Sequence, residues 1–130
     1  MNFKIFLAVA LIVVNVPSAK AAEEPTTIVL GIGNKSCGSW TQARHSPGSL
    51  VDVYQGWVAG FISSSNEFAN NTQHIDILQH APDAQGIWAW VDNYCTAHPL
   101  NSVAEASDSL AAELILRAWK AKNGINPKPD

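Results

Sequence analysis

Two cysteines, Cys37 and Cys95, stand 58 positions apart in the 130-residue chain. What a pair so spaced can do depends first on the compartment the chain occupies. The N-terminus speaks to that. "MNFKIFLAVALIVVNVPSAKA" carries Lys4, then the unbroken apolar run Ile5–Val14, then the small-x-small pattern Ala19-Lys20-Ala21. A basic start, a short apolar stretch and a small-residue site are the marks of a cleaved secretory signal. Ten apolar residues are about half of what a bilayer span needs, so a retained anchor is not expected. The other reading of the run is a buried N-terminal element. The expectation is a signal peptide over 1–21, cleavage near Ala21, and a mature chain exported to the periplasm.

In an oxidising compartment an even cysteine count implies a disulfide. The alternative, a reactive thiol, lacks a C-x-x-C pair or a local catalytic-cysteine signature. A bridge over 58 positions would stabilise the fold by about 4 kcal/mol on the chain-entropy model. A domain of this length gains limited stability from burial alone, so such a staple matters.

Charge narrows the partners. Without Lys4 and Lys20, six basic side chains face eleven acidic ones, net −5. That excludes a nucleic-acid binder, which needs a clustered basic surface, and fits an anionic membrane surface poorly. No membrane role is expected once the signal is removed.

Helical periodicity dominates the mature sequence. Residues 22–36, "AEEPTTIVLGIGNKS", read as a short extended arm, β-like at Thr27–Leu30 and broken by Gly31 and Gly33. "CGSWTQAR" (37–44) predicts one or two helical turns, and "HSPGS" a turn. From Ser49 to Asn66, Leu50, Tyr54, Trp57 and Phe61 recur at helical spacing, widened by Val51, Val58 and Ile62. Gly56 and Gly60 form G-x-x-x-G there. Asp52, Gln55 and the Ser63–Ser65 run exclude a membrane span, leaving close packing against another helix. Positions 66–82 predict a polar connection with an apolar island at Ile75–Leu78.

The next helix covers "DAQGIWAWVDNYCTAH", with Asp83 as N-cap. Ile87, Val91, Tyr94, Cys95 and His98 follow its core spacing. Trp88 and Trp90, 200° apart on a helix, flank that stripe on opposite sides. Such a wide apolar face predicts the central helix of the bundle. Pro99 ends it. Ser102-Val103-Ala104-Glu105 is then a capping box, and Val103, Ala106, Leu110, Leu114 and Ala118 carry the buried stripe of a last helix fading near Asn123-Gly124. The domain is 37–122 and the tail 123–130 is loose. The fold class is all-α: three main helices and a short N-terminal one, an extended arm, one disulfide.

Catalytic signals are missing. No G-x-S-x-G, Walker loop or H-E-x-x-H occurs. "GIGNKSCG" lacks the third glycine and the βαβ context of a dinucleotide site. His74, Asp76 and His80 cluster in "HIDILQH" without sharing a helix face or a fourth ligand, so a solvated loop is expected rather than a metal site. His45 and His98 stand alone. The five tryptophans suit core packing better than a ligand cage. No enzyme, cofactor or metal is expected.

"KSCGSWTQAR", "YQGWVAGFISSSN" and "WVDNYCTAHPLNSV" together resemble the layout of the HdeA/HdeB-like proteins, small exported helical proteins. In them one cysteine precedes the first long helix and another lies in a Y-C-x-x-x-P-type segment. The match runs from Lys35 to Leu114; the "TTIVLGIG" arm and the longer loops depart from it. The resemblance implies an all-α domain closed by one disulfide and a periplasmic chaperone for other proteins in acid. On that reading Asp83 and Glu105 are acid-sensitive helix caps, because helix N-termini favour the anion. Loosening of the helices would present Trp57, Trp88 and Trp90 to clients. A homodimer would cover Trp88 or Trp90 if they stay unburied. A second resemblance, carried by "YQGWVAGF" and the amphipathic helix after a proline, is to immunity proteins that neutralise secreted amidases. Those typically have more cysteines. It implies one cognate enzyme as partner.

Overall fold

Ser102 opens the last helix as its sequence predicts. Its Oγ accepts from the Glu105 amide at 3.1 Å, and the Glu105 carboxylate accepts from the Ser102 amide at 2.6 Å. Two amides that lack partners inside the helix are thereby satisfied together. This box belongs to a computed structural model that describes residues 27–79 and 81–125. Among them are four helices: α1 (Cys37–His45), α2 (Leu50–Gln73), α3 (Ala84–Ala97) and α4 (Val103–Lys122). No strand is present among these residues, and the chain is all-α with one disulfide. None of the described helices is long and apolar enough to cross a membrane. The expected signal peptide 1–21, residues 22–26 of the arm and tail positions 126–130 lie outside the described residues.

Local chemistry sets most helix ends. Ser36 caps α1 by accepting from Ser39 N, and Asp83 caps α3 by accepting from Gly86 N at 2.9 Å. His98 leaves the helical region in front of Pro99 and closes α3. At the end of α4, Gly124 takes a left-handed φ of 68°. Its amide bonds to Ala121 O and that of Ile125 to Lys120 O, the double closure that glycine permits without strain.

Three expectations are corrected. First, α2 runs seven residues past Asn66. Ala69 is fully buried on the added turns, and Ser65 and Thr72 return their hydroxyls to the carbonyls of Phe61 and Phe68, so polar residues there do not break the helix. Asn66 spends its carboxamide on Ile77 N at 2.8 Å, a contact across the loop that local sequence does not announce. Within the apolar island of that loop Ile75 and Ile77 are buried, whereas Leu78 is exposed.

Second, Gly56 and Gly60 face solvent. Apart from the local backbone of α2 itself, no described atom lies within 4 Å of where a Cβ would sit on either, so the G-x-x-x-G pattern packs no helix. The close approach belongs to Gly33 instead, where a methyl group would overlap the Trp57 ring. The Gly31–Asn34 segment winds into a 3-10 turn, not a continuation of the extended residues before it.

Third, α4 and not α3 is the central helix. It packs against α1, α2, α3 and the 3-10 turn, whereas α3 packs mainly on α1 and α4. All five expected stripe residues of α4 are buried, and so are Ala104, Ser107 and Ala111. Alanine and serine keep that face low, which lets neighbours approach from several sides. The core formed around it holds Trp40, Tyr54, Val58, Ile62, Ile77 and Val91.

Cys37 starts α1 and Cys95 lies near the end of α3, both buried, with Cα atoms 4.7 Å apart. Backbone bonds reinforce the seam. Cys37 N donates to Asn101 O, Gly38 N to Pro99 O, and Val103 N to Lys35 O. The turn between α3 and α4 therefore grips the start of α1 beside the disulfide.

Candidate functional site

The three tryptophans expected to meet clients sit in three different settings. Trp88 is 8 % exposed and belongs to the core. Trp57 is half-buried; its indole N–H donates to Leu30 O at 3.1 Å, and its ring stacks on Phe61. Trp90 is half-buried too. Its N–H donates to the Glu113 carboxylate of α4 at 2.8 Å, and its ring stacks on Tyr94 with centroids 5.6 Å apart. Tyr94 in turn accepts from Asn101 and contacts the His98 ring. No aromatic pair joins Trp57, Trp88 and Trp90 to one another, so they form no common cage.

The structure brings in residues that the sequence reading missed. Trp40, fully buried, donates its N–H to Asp92 at 2.7 Å. Arg44 grips the same carboxylate through Nε and a terminal nitrogen, with its guanidinium near the Trp40 ring. The hydrogen bond to Asp92, aided by its charge, holds the Arg44 pKa above its ordinary value, against a smaller effect of burial. On the other side of α3, Glu113 takes both Trp90 and Arg117. The pattern repeats: indole, carboxylate, arginine. The i, i+4 spacing of Glu113 and Arg117 is the one local signal that could have announced that pair. The 48 positions between Arg44 and Asp92 left no local sign.

Of the two expected caps, both are in place. Asp83 accepts from Gly86 N. Glu105 has its pKa held below the ordinary carboxylate value, chiefly because the Ser102 amide and then the Ser102 hydroxyl donate to it.

A groove runs between α2 and α4 and was not anticipated. It consists of two adjoining hollows of about 460 and 370 Å³ that share Phe61 and Asp108. Ala104, Ala111 and Ile115 supply apolar lining, Val29 closes one end, and Phe68 stands at the other. Phe68 is 65 % exposed, a large apolar side chain left at the surface where a partner would cover it. In the sequence, Phe68 fell inside a stretch read as a polar connection, and that hid its helical register with Phe61.

The described histidines named in the sequence, His45, His74 and His98, are separately placed. Asp76 is engaged by the amides of Leu78 and Gln79 in a tight turn, and His80 lies outside the described residues. Among the described residues no group of three or more His, Cys, Asp or Glu side chains is placed to hold a metal ion. His45 sits against Thr41 O and His98 against Tyr94, on separate helices. No family model, no curated protein and no solved structure matches the chain.

Proposed function

We propose that the chain is an exported, non-enzymatic protein of the HdeA/HdeB-like kind that binds unfolded client proteins under acid stress in the periplasm. The observation that carries this reading is how α3 is fastened. One tie, to α1, is covalent. Its side-chain polar ties to other helices end on carboxylates: Asp92 receives Trp40 and Arg44 of α1, and Glu113 of α4 receives Trp90. Acid neutralises carboxylates and charges histidines, taking the chain after residue 21 from a side-chain charge of −5 to +10. Charge-assisted hydrogen bonds weaken when the acceptor loses its charge. The disulfide survives and keeps α3 on α1, while the α3–α4 seam loses its polar tie at Trp90. Trp57 hangs on a backbone carbonyl, which acid leaves unchanged, so its exposure would follow from general loosening.

Glu105 supports the same direction. Its folded pKa lies below its ordinary value, so its contribution to stability is present above that ordinary value and is lost as pH falls through the folded one. Asp83 caps α3 through its bond from Gly86 N. The deciding assay is suppression of client aggregation at pH 7 and at about pH 2, below both carboxylate reference values, with tryptophan emission followed alongside. Protection confined to acid, with a red shift of emission, is expected. No protection in acid, or flat emission, rejects the acid-chaperone reading.

A second reading, an immunity-type protein holding one secreted amidase, has its own support: the α2–α4 groove is open in the folded chain with Phe68 exposed. A pull-down at pH 7 that recovers one stoichiometric partner would favour it over acid chaperoning.

A further inference from the structure

The α2–α4 groove specifies the chemistry of an occupant. Its lining is mostly apolar or small, and its charged members are Glu105 and Asp108, with no basic side chain. Glu105 is taken up by Ser102. Asp108 sits where the two hollows meet and has no hydrogen-bond or ion-pair partner among the described residues. The long walls, α2 and α4, are helices whose inner backbone groups are already paired, so along them no edge is offered on which an extended peptide could form a ladder; the non-helical Thr27 and Val29 border only one of the two hollows. A segment lying on them must satisfy its own backbone, as a helix does. Phe61 and Phe68, seven positions apart, lie on one face and span about 10 Å at the helical rise, two turns of such a partner. A two-fold contact with a second copy through this groove would set two Asp108 carboxylates at its centre, which like-charge repulsion opposes.

We infer that the α2–α4 groove takes a basic amphipathic helix from a partner protein, its apolar stripe over Phe61, Phe68 and Ile115 and a lysine or arginine against Asp108. This rests on the protein-binding reading and concerns the folded chain at neutral pH.

The probe is a synthetic helical peptide of about four turns, leucine along one face and lysine along the other, titrated into the labelled protein at pH 7 and followed by amide NMR. A leucine–glutamate peptide of the same pattern is the control. The lysine peptide is expected to shift the amides of Phe61, Phe68, Asp108 and Ile115, and the glutamate peptide none of them. Phe68→Ala and Asp108→Lys alter exposed side chains, so the fold persists, and each is expected to weaken binding about tenfold or more. Asp52→Lys makes the same charge change half a turn round α2 from Phe61 and is expected to weaken it less than about twofold. Shifts that map elsewhere, equal losses in Asp52→Lys and Asp108→Lys, or sedimentation showing a dimer that protects Phe68 would each overturn the inference. A stoichiometric partner captured at pH 7 whose binding ignores Phe68→Ala and Asp108→Lys would also overturn it, and would leave the protein-binding reading standing.

Discussion

The Trp40 indole donates to the Asp92 carboxylate at 2.7 Å, joining α1 to α3 across 52 positions within one turn of the Cys37–Cys95 bridge. The covalent and polar ties thus share one interface. Because Trp40 is fully buried, loss of Asp92 leaves its N–H without its protein partner. An orphaned buried donor costs about 1–3 kcal/mol. Asp92→Ala is therefore expected to destabilise the chain by roughly 2–3 kcal/mol in urea unfolding. Asp92→Asn keeps an acceptor for Trp40 and should cost less. Arg44→Ala, at a partly exposed pair, should cost about 1 kcal/mol or less. Equal losses for Asp92→Ala and Arg44→Ala would show that the indole bond contributes nothing.

Glu105 gives a pH-dependent prediction. Its carboxylate is stabilised by two donations from Ser102, and its pKa is lowered in the folded chain. Glu105→Gln keeps an acceptor but not the charge, so it should lower stability at pH 7 by about 0.5–1 kcal/mol, the scale of a helix cap. The sign fixes the rest. The wild-type advantage should hold above the ordinary carboxylate value and vanish as pH falls through the lowered one. Melting temperatures of the pair measured across that range check it; a gap that widens in acid would contradict the assignment.

Gly56 and Gly60 should be improvable. Each sits mid-helix with open space around a would-be Cβ, and a glycine in an exposed helix interior costs about 0.5–1 kcal/mol relative to alanine. Gly56→Ala and Gly60→Ala should each stabilise by that amount. Gly33→Ala should do the reverse by driving the Trp57 ring off its seat. Thermal unfolding of the three variants separates the two kinds of glycine.

These glycines also show where sequence reading stops. A G-x-x-x-G spacing records only that two small residues share a face; which way that face turns is decided by the rest of the fold. The buried stripe of α4 was legible because each of its members repeats at helical spacing within one segment. The caps at Ser102 and Asp83 were legible because both partners lie three positions apart. The centrality of α4 was not, since it follows from small side chains letting several neighbours approach. Phe68 was hidden by polar residues that α2 accommodates, Ser65 and Thr72 bonding to its own carbonyls and Ala69 buried among them. The Asp92 and Glu113 ties join residues far apart in sequence, and no periodicity encodes such a pair.

Reduction should loosen the chain without dissolving its helices. Removing a bridge of this loop length costs about 4 kcal/mol on the chain-entropy model, a large share of the stability of a small domain. Cys37→Ala/Cys95→Ala is expected to lower the urea midpoint sharply. The backbone bonds from Cys37 and Gly38 to Asn101 and Pro99 still hold the start of α1, so helical circular dichroism should persist at low denaturant. A double variant as stable as the oxidised chain would mean that the bridge contributes no net stability.

The C-terminus of α2 combines a strained residue with a borrowed cap. His74 adopts a left-handed φ of 54°, which costs an L-residue about 1–2 kcal/mol. Glycine removes that strain but loses about 0.5–1 kcal/mol in chain entropy, so His74→Gly should be net stabilising by up to about 1 kcal/mol. The ammonium of Lys122, from the end of α4, donates to the carbonyls of Gln73 and His74, placing positive charge at the negative end of the α2 dipole. Lys122→Met keeps most of the aliphatic stem and removes only that donation, and should cost about 0.3–1 kcal/mol, diminishing in high salt. The two effects meet at His74, whose carbonyl accepts from Lys122, so they should not add: in His74→Gly the relaxed turn moves that carbonyl relative to the ammonium, and Lys122→Met should then matter less. A double-mutant cycle by urea unfolding measures that coupling, and strict additivity would show that the lysine and the turn act independently.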